Sequence, residues 1–246
     1  MQVFTHGSIR NGWLVASVLG VSALTAPVTA GIVLPTSIDD FTDTNSPDFP
    51  LVVAAGITPT DSAVETGLSG VLGGARTTTL SLDGGSGLAA GFVDNSNMIF
   101  ELSSSLNTTA FLSFDYGAAA GASDLNANFL NAVGIEISIA GFDYASDAPL
   151  DVMVTLMSNG VERTANVAVT SVGAQSVMLD FGSFSSMGGG GGAFSFGDID
   201  RIGVQFPFQG GADFEIGSIQ TAIPGPGVCV ALAVAGLTGG RRRRRV

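Results

Sequence analysis

The side chains in this 246-residue chain that could do chemistry are almost all carboxylates: 21 Asp and Glu stand against 9 basic residues and one His. They fall in patterns that suggest two kinds of work. Asp39, Asp40 and Asp43 crowd together early, Asp198 and Asp200 late, and Asp213 follows beside them. Calcium takes six to eight oxygen ligands from carboxylates and loop carbonyls. Asp39, Asp40 and Asp213 are therefore expected to hold a structural Ca²⁺, the one cofactor this chain is expected to carry, so that calcium should raise its melting temperature over that in chelator. A glycosidase instead needs two carboxyls placed across a sugar. Glu101, Glu136, Glu162 and Glu215 lie on alternating stretches and are candidates, but no spacing in the sequence pairs any two. The same acids can also simply solvate a lysine-free surface in salty water.

Most other chemistry is excluded by residue type. There is no lysine, so all nine basic residues are arginine. The only His, Trp and Cys are His6, Trp13 and Cys229, all in terminal segments. The middle of the chain thus lacks the parts of a Ser-His-Asp triad, a Cys nucleophile, a Schiff-base lysine, a His/Cys zinc site and a phosphate-binding loop lysine. Only Arg76, Arg163 and Arg201 accompany the 21 acidic residues between Asp39 and Glu215, a net charge of −18 for that stretch. Nucleic acid, whose phosphates require Lys and Arg, is not an expected partner. A single Cys allows no internal disulfide.

Both ends are addresses. Arg10, the apolar run Trp13 to Leu24 and the small residues before Ala30 make a secretory signal helix over 1–30, with signal peptidase expected to cut after Ala30. At the other end, 222–246 holds Pro224-Gly225-Pro226, the apolar run Val228 to Leu237, and the anchor Arg241, Arg242, Arg243, Arg244 and Arg245. Residues 228–240 as a helix would span about 20 Å, short of the roughly 30 Å hydrocarbon core. Snorkelling arginines and local thinning can close the gap. The arginines stay cytoplasmic by the positive-inside rule, which leaves the body outside the inner membrane. This tail resembles the PEP-CTERM sorting signal read by exosortases in Gram-negative bacteria, with Gly225 where that family usually has Glu. The resemblance implies an exosortase-like processing enzyme as a partner, a transient inner-membrane anchor, and delivery to the cell envelope, cell surface or exterior. Cys229 reads as apolar filler.

Residues 31–221 read as many short strands divided by turns. Ile135 to Ile139 and Ile202 to Phe208 alternate apolar and polar; Met98, Phe100 and Leu102 share one face, as do Leu112, Phe114 and Tyr116. Asn159-Gly160 between two alternating runs is a strong hairpin signal. Further strands are expected at Thr77–Leu82, Asn166–Thr170, Val177–Phe181 and Ala212–Ile219, with a short helical turn near Asp124–Asn131. Pro207 within a strand pattern points to an edge or a bulge. Without crossover helices the sheets must be antiparallel. The expected fold is all-β, a two-sheet antiparallel β-sandwich of jelly-roll-like form, flanked by the signal helix and the C-terminal hydrophobic helix. The glycine run 188–192, with no lysine after it, reads as a flexible surface loop.

Ile38-Asp39-Asp40-Phe41, Gly70 to Arg76, and the late pair Asp200 to Val204 and Asp213 to Ile216 resemble galactose-binding-like sandwiches, a superfamily that includes carbohydrate-binding modules. That resemblance implies binding of extracellular polysaccharide on one sheet or at loop tips. With no Trp in the body, stacking faces must come from Phe or from Tyr116 and Tyr144, which otherwise read as packing residues. The whole points to an exported, non-enzymatic structural or glycan-binding protein; the alternative is a carboxylate-dependent glycan hydrolase.

Overall fold

The computed structural model describes residues 35–46, 48–117, 124–144 (without the Tyr144 side chain), 150–186 and 193–224. The signal segment with Ala30, and the tail from Gly225 through the five arginines, lie outside them. Among the described residues no helix is long and apolar enough to cross a membrane. The secondary structure of the described residues is strands joined by turns, with single-turn 3₁₀ segments at Leu72–Gly74 and Phe181–Ser183.

Among the described residues fourteen strands form two sheets, and every pairing between them is antiparallel. In sheet A the order is β11 (Gln175–Asp180), β8 (Gly134–Tyr144), β14 (Ala212–Ala222), β6 (Ile99–Ser104), β5 (Leu88–Asp94) and β2 (Leu51–Ala54). The short β1 (Ser37–Asp39) also pairs with β14, further along that strand. Sheet B runs β12 (Ser185–Ser186), β10 (Val161–Val169), β9 (Leu150–Ser158), β13 (Arg201–Gln209), β7 (Thr108–Gly117), β4 (Ala75–Gly85) and β3 (Thr60–Thr66). The chain passes repeatedly from one sheet to the other. The last strand includes Ala222, one residue beyond the boundary the sequence suggests.

The alternation explains the layering, because successive strand side chains point to opposite faces. Leu112, Phe114 and Tyr116 of β7 face inward, as do Val152, Val154 and Leu156 of β9 and Ile202, Val204 and Phe206 of β13. Phe100 of sheet A meets Phe114 of sheet B edge to face at 5.0 Å between ring centres. Phe41, Phe206, Phe214 and Phe208 extend this chain of rings across the sandwich. A second aromatic group, Phe129, Phe181, Phe184, Phe194 and Phe196, packs beyond the β10 end, with Arg163 over the Phe194 ring.

Three local expectations need correction or refinement. Met98 does not share the inner face of Phe100 and Leu102: it sits in the preceding turn at φ 56° and is half exposed. The stretch 124–131 forms no helical turn; Ala127 makes an isolated bridge to Ile199 instead, and Phe129 N–H donates to the Phe196 carbonyl. Pro207 lies in a central strand, yet β13 pairs with β9 only as far as Gln205. Its missing N–H therefore interrupts no pairing on that side, which is the same physics that confines proline to edges.

At one end the sandwich is pinned by ions. Glu65, Arg76 and Tyr116 form a cross-strand row on β3, β4 and β7, facing inward and fully buried. Asp39 of sheet A reaches across to them. Arg76 Nη1 donates to both Asp39 oxygens at 3.0 and 2.8 Å, and Nε and Nη2 donate to Glu65 Oε2 at 3.0 and 2.6 Å. Tyr116 Oη donates to Asp39 Oδ2 at 2.9 Å, and the Phe41 N–H to Oδ1. The Thr44 hydroxyl and the Asn45 and Ser46 N–H groups donate to Glu65 Oε1. The segment after β1 is thereby laced onto sheet B.

Candidate functional site

Where sheet A faces outward, the strand order β8, β14, β6, β5 lines up two rows of side chains. Gly141, Glu215, Glu101 and Phe92 are direct cross-strand partners in one row. Asp143, Asp213, Ser103 and Ala90 are partners in the next. Neighbours in such a row have Cβ atoms about 5 Å apart. Their strand neighbours Phe142, Phe214 and Leu102 point inward into the core, so the rows form a floor supported by packed rings. The floor is the base of an open groove of about 530 Å³.

Residue sizes shape this groove. Phe92 stands at one side, 40% exposed despite its apolar ring. Ala90 and Gly141, diagonally opposed, leave room above the sheet. The Glu215 side chain lies over Gly141, where a Cβ would come within 2.9 Å of Glu215 Oε2 and make that side chain shift. Glu101 is half-buried between Phe92 and Glu215. Burial, and then the charges of Asp94 and Glu215, raise its pKa above the usual value. Asp94, at the end of β5, is lowered by the Ser96 N–H that it accepts.

Chemically the groove presents hydrogen-bond acceptors from three adjacent strands, one hydroxyl, and one aromatic face. No arginine lines it. Such a surface repels polyanions and suits a neutral ligand rich in hydroxyl donors, with a C–H face for the ring. Glu101 and Glu215 rise side by side from a single floor rather than flanking a sugar from opposite sides.

The residues singled out from sequence separate in space. The structure does not bring Asp39, Asp40 and Asp213 together. Asp39 is engaged by Arg76 and Tyr116; burial raises its pKa, against which the Arg76 charge acts. Asp40 Oδ1 accepts from the Thr42 N–H and hydroxyl, and Asp213 lies on the outer face of β14 in the groove. Among the described residues no group of three or more His, Cys, Asp or Glu could hold a metal ion. Asp43 accepts from Ser69, and Asp200 from the Asn159 N–H. Of the four glutamates, the structure pairs Glu101 with Glu215; Glu136 bonds Gln220 within sheet A, and Glu162 is exposed on β10. Tyr116 is a packing residue, buried with its pKa pushed well up by burial and by Asp39. Pro224 is exposed just past β14, while Gly225 and Pro226 fall outside the described residues.

Phe92, Ser103 and Asp143 were not legible as site residues. Asp213 and Glu215, two apart on an alternating strand, carried the one signal that could have placed a pair on one face. The segments 38–41 and 70–76 lie against each other: Asp39 bridges Val71 and bonds Arg76, and Asp40 N–H donates to the Gly70 carbonyl at 3.2 Å.

No protein-family model matches the sequence, and no curated protein matches it. Among solved structures, the chain is similar to the family 11 carbohydrate-binding module of a cellulosomal cellulase from Clostridium thermocellum. The TM-score is 0.41 at 12% identity, over 78% of this chain and 96% of that one. It is also similar to the family 11 xylanase from Neocallimastix patriciarum, with TM-score 0.38 and 8% identity over 71% and 100%. A family 61 carbohydrate-binding module in complex with β-1,4-galactotriose scores 0.25 at 12% identity, over 71% and 88%. Likenesses this distant assign neither a ligand nor an activity.

Proposed function

We propose that this chain is an exported, non-catalytic protein that binds neutral polysaccharide at the cell envelope or outside it. The observation that carries the reading is the two-row groove of sheet A. Carboxylates on β6, β8 and β14 accept sugar hydroxyls, Phe92 packs against a ring face, and the net charge of −18 in the body turns acidic polymers away. Ligand sites of this kind combine an apolar platform with a few fixed polar groups. Export rests on the signal-like 1–30 segment and the tail that resembles a sorting signal. Exosortase-type processing would leave the sandwich free of its transient inner-membrane anchor.

Affinity electrophoresis tests this directly. The purified protein should be retarded in gels containing a neutral glucan or galactan and not in gels containing a polyuronate. The triple variant F92A/E101Q/E215Q should be retarded far less than the wild type. Equal mobility of both proteins in every gel rejects the reading.

One observation favours hydrolysis as a second reading: two carboxyls, Glu101 and Glu215, are direct cross-strand partners in the groove, and burial raises the Glu101 pKa above its usual value. Release of new reducing ends from a bound polymer, abolished by E101Q, would establish it. Binding without such release leaves the non-catalytic reading in place.

A further inference from the structure

On the opposite side of the sandwich, sheet B carries a groove of different composition. It follows β13, whose outward residues are Arg201, Gly203, Gln205 and Pro207. At the Gly203 end lies a hollow of about 200 Å³. Arg201 Nη2 donates to Asp115 Oδ1 at 2.6 Å beside it, and both side chains stay partly exposed, at 37% and 22%. At the Pro207 end a second hollow of about 410 Å³ opens where β9 has ceased to pair with β13. There exposed Pro207 and half-exposed Phe111, direct cross-strand partners, make an apolar shelf. Gln205 lines both hollows. From Gly203 to Pro207 the strand runs about 13 Å.

The geometry points to a second glycan-binding site here, taking a short stretch of neutral polysaccharide. This rests on the sheet A reading for its ligand class and on separate residues for its location. The side-chain amide of Gln205 and the Arg201–Asp115 pair offer both donors and acceptors to sugar hydroxyls. The Pro207–Phe111 shelf accepts a ring face, as aromatic and apolar platforms do in ligand sites. The guanidinium is already neutralised by Asp115, so the site has no preference for an anion. Because the two sheets are packed back to back, the two grooves face opposite ways. One molecule therefore holds two polymer chains and cross-links them, and a polymer gel is what a matrix protein needs.

The test uses a blocking residue that the strand tolerates. A Cβ at Gly203 would meet only Asp115 Oδ1 at 3.4 Å and Thr155 Cβ at 3.9 Å, ordinary contacts, so the strand has room for a side chain to begin there and G203V projects it into the hollow. Titration calorimetry with a neutral oligosaccharide cut from whichever polymer retards the protein should give two sites per molecule for the wild type. G203V and, separately, E101Q/E215Q should each give one. Mixing wild-type protein with the polymer should raise light scattering. Each single-groove variant should abolish that rise. Melting curves confirm that each variant is folded; should G203V melt early, Q205A takes its place. One site in the wild type, removed by E101Q/E215Q and untouched by G203V or Q205A, overturns the second site while leaving the sheet A reading intact. Absence of retardation by any neutral polymer overturns both.

Discussion

Removing the Arg76 side chain would strand Asp39 and Glu65 in the core with no cation beside them. All three are fully buried, and the guanidinium makes four of its bonds to their oxygens. Burial by itself would lower the Arg76 pKa, but Asp39, Tyr116 and Glu65 outweigh it and raise it, so the charge stays on throughout the accessible pH range. Breaking one partner of a buried pair costs about 3–5 kcal/mol. R76M is accordingly expected to lose that much stability in urea unfolding, and Y116F, which gives up one bond to Asp39, only about 1 kcal/mol. Comparable midpoints for the two variants would show that the ion cluster is not what holds this end. The same residues show why the sequence could not reveal the partner of Asp39. Three acids within five positions look like metal ligands, but the partner that takes Asp39 is an arginine 37 positions away on the other sheet. Spacing along the chain does not encode that approach. Glu101 and Glu215 were equally opaque as a pair, because only the order of β6 beside β14 makes them neighbours.

Among the elements, the strands were the most legible part, because period-two alternation is a local property and a one-residue slip would turn every core residue outward. The Asn159-Gly160 hairpin forms as expected, with both residues at positive φ and Val161 paired to Ser158. Met98 was misread because alternation continued backward across a turn, and 124–131 because a short polar–apolar pattern was taken for a helix where tertiary bridging to Ile199 prevails. Sheet membership was not legible at all, since it depends on which strands meet after the chain crosses over. The segment 36–46 carries an element-scale prediction. It has only three strand residues, yet Ile38, Asp39 and Phe41 are wholly buried. Starting the mature protein at residue 36 should leave its melting temperature unchanged, whereas starting at residue 44 should unfold it, read by far-ultraviolet circular dichroism and thermal melts. A folded 44–246 chain would mean that β1 is dispensable.

For the whole molecule, the excess of carboxylates makes pH the natural probe. Asp39 and Glu101 have pKa values raised above their ordinary values of 3.8 and 4.5, so the folded state holds their protons more tightly than the unfolded chain does. Their contribution to stability therefore grows as pH falls from the raised values toward those ordinary ones. Asp94 works the other way, but it is exposed and acts only below 3.8. The melting temperature should rise as pH is lowered from neutral toward about 4.5, and E101Q should flatten part of that rise. A monotonic fall over the same range contradicts this sign. The terminal address has its own prediction: because β14 closes the sandwich at Ala222, deleting 223–246 should move the protein from the envelope to the medium or periplasm without changing its melting temperature. Unchanged fractionation would reject the sorting role.

All of this converges on whether the sheet A floor touches sugar. The decisive measurement is the electrophoretic mobility of the purified protein and of F92A/E101Q/E215Q in a gel cast with neutral polysaccharide. Strong retardation of the first and much weaker retardation of the second is what the two rows of side chains predict; identical migration of the two, with both folded, would contradict it.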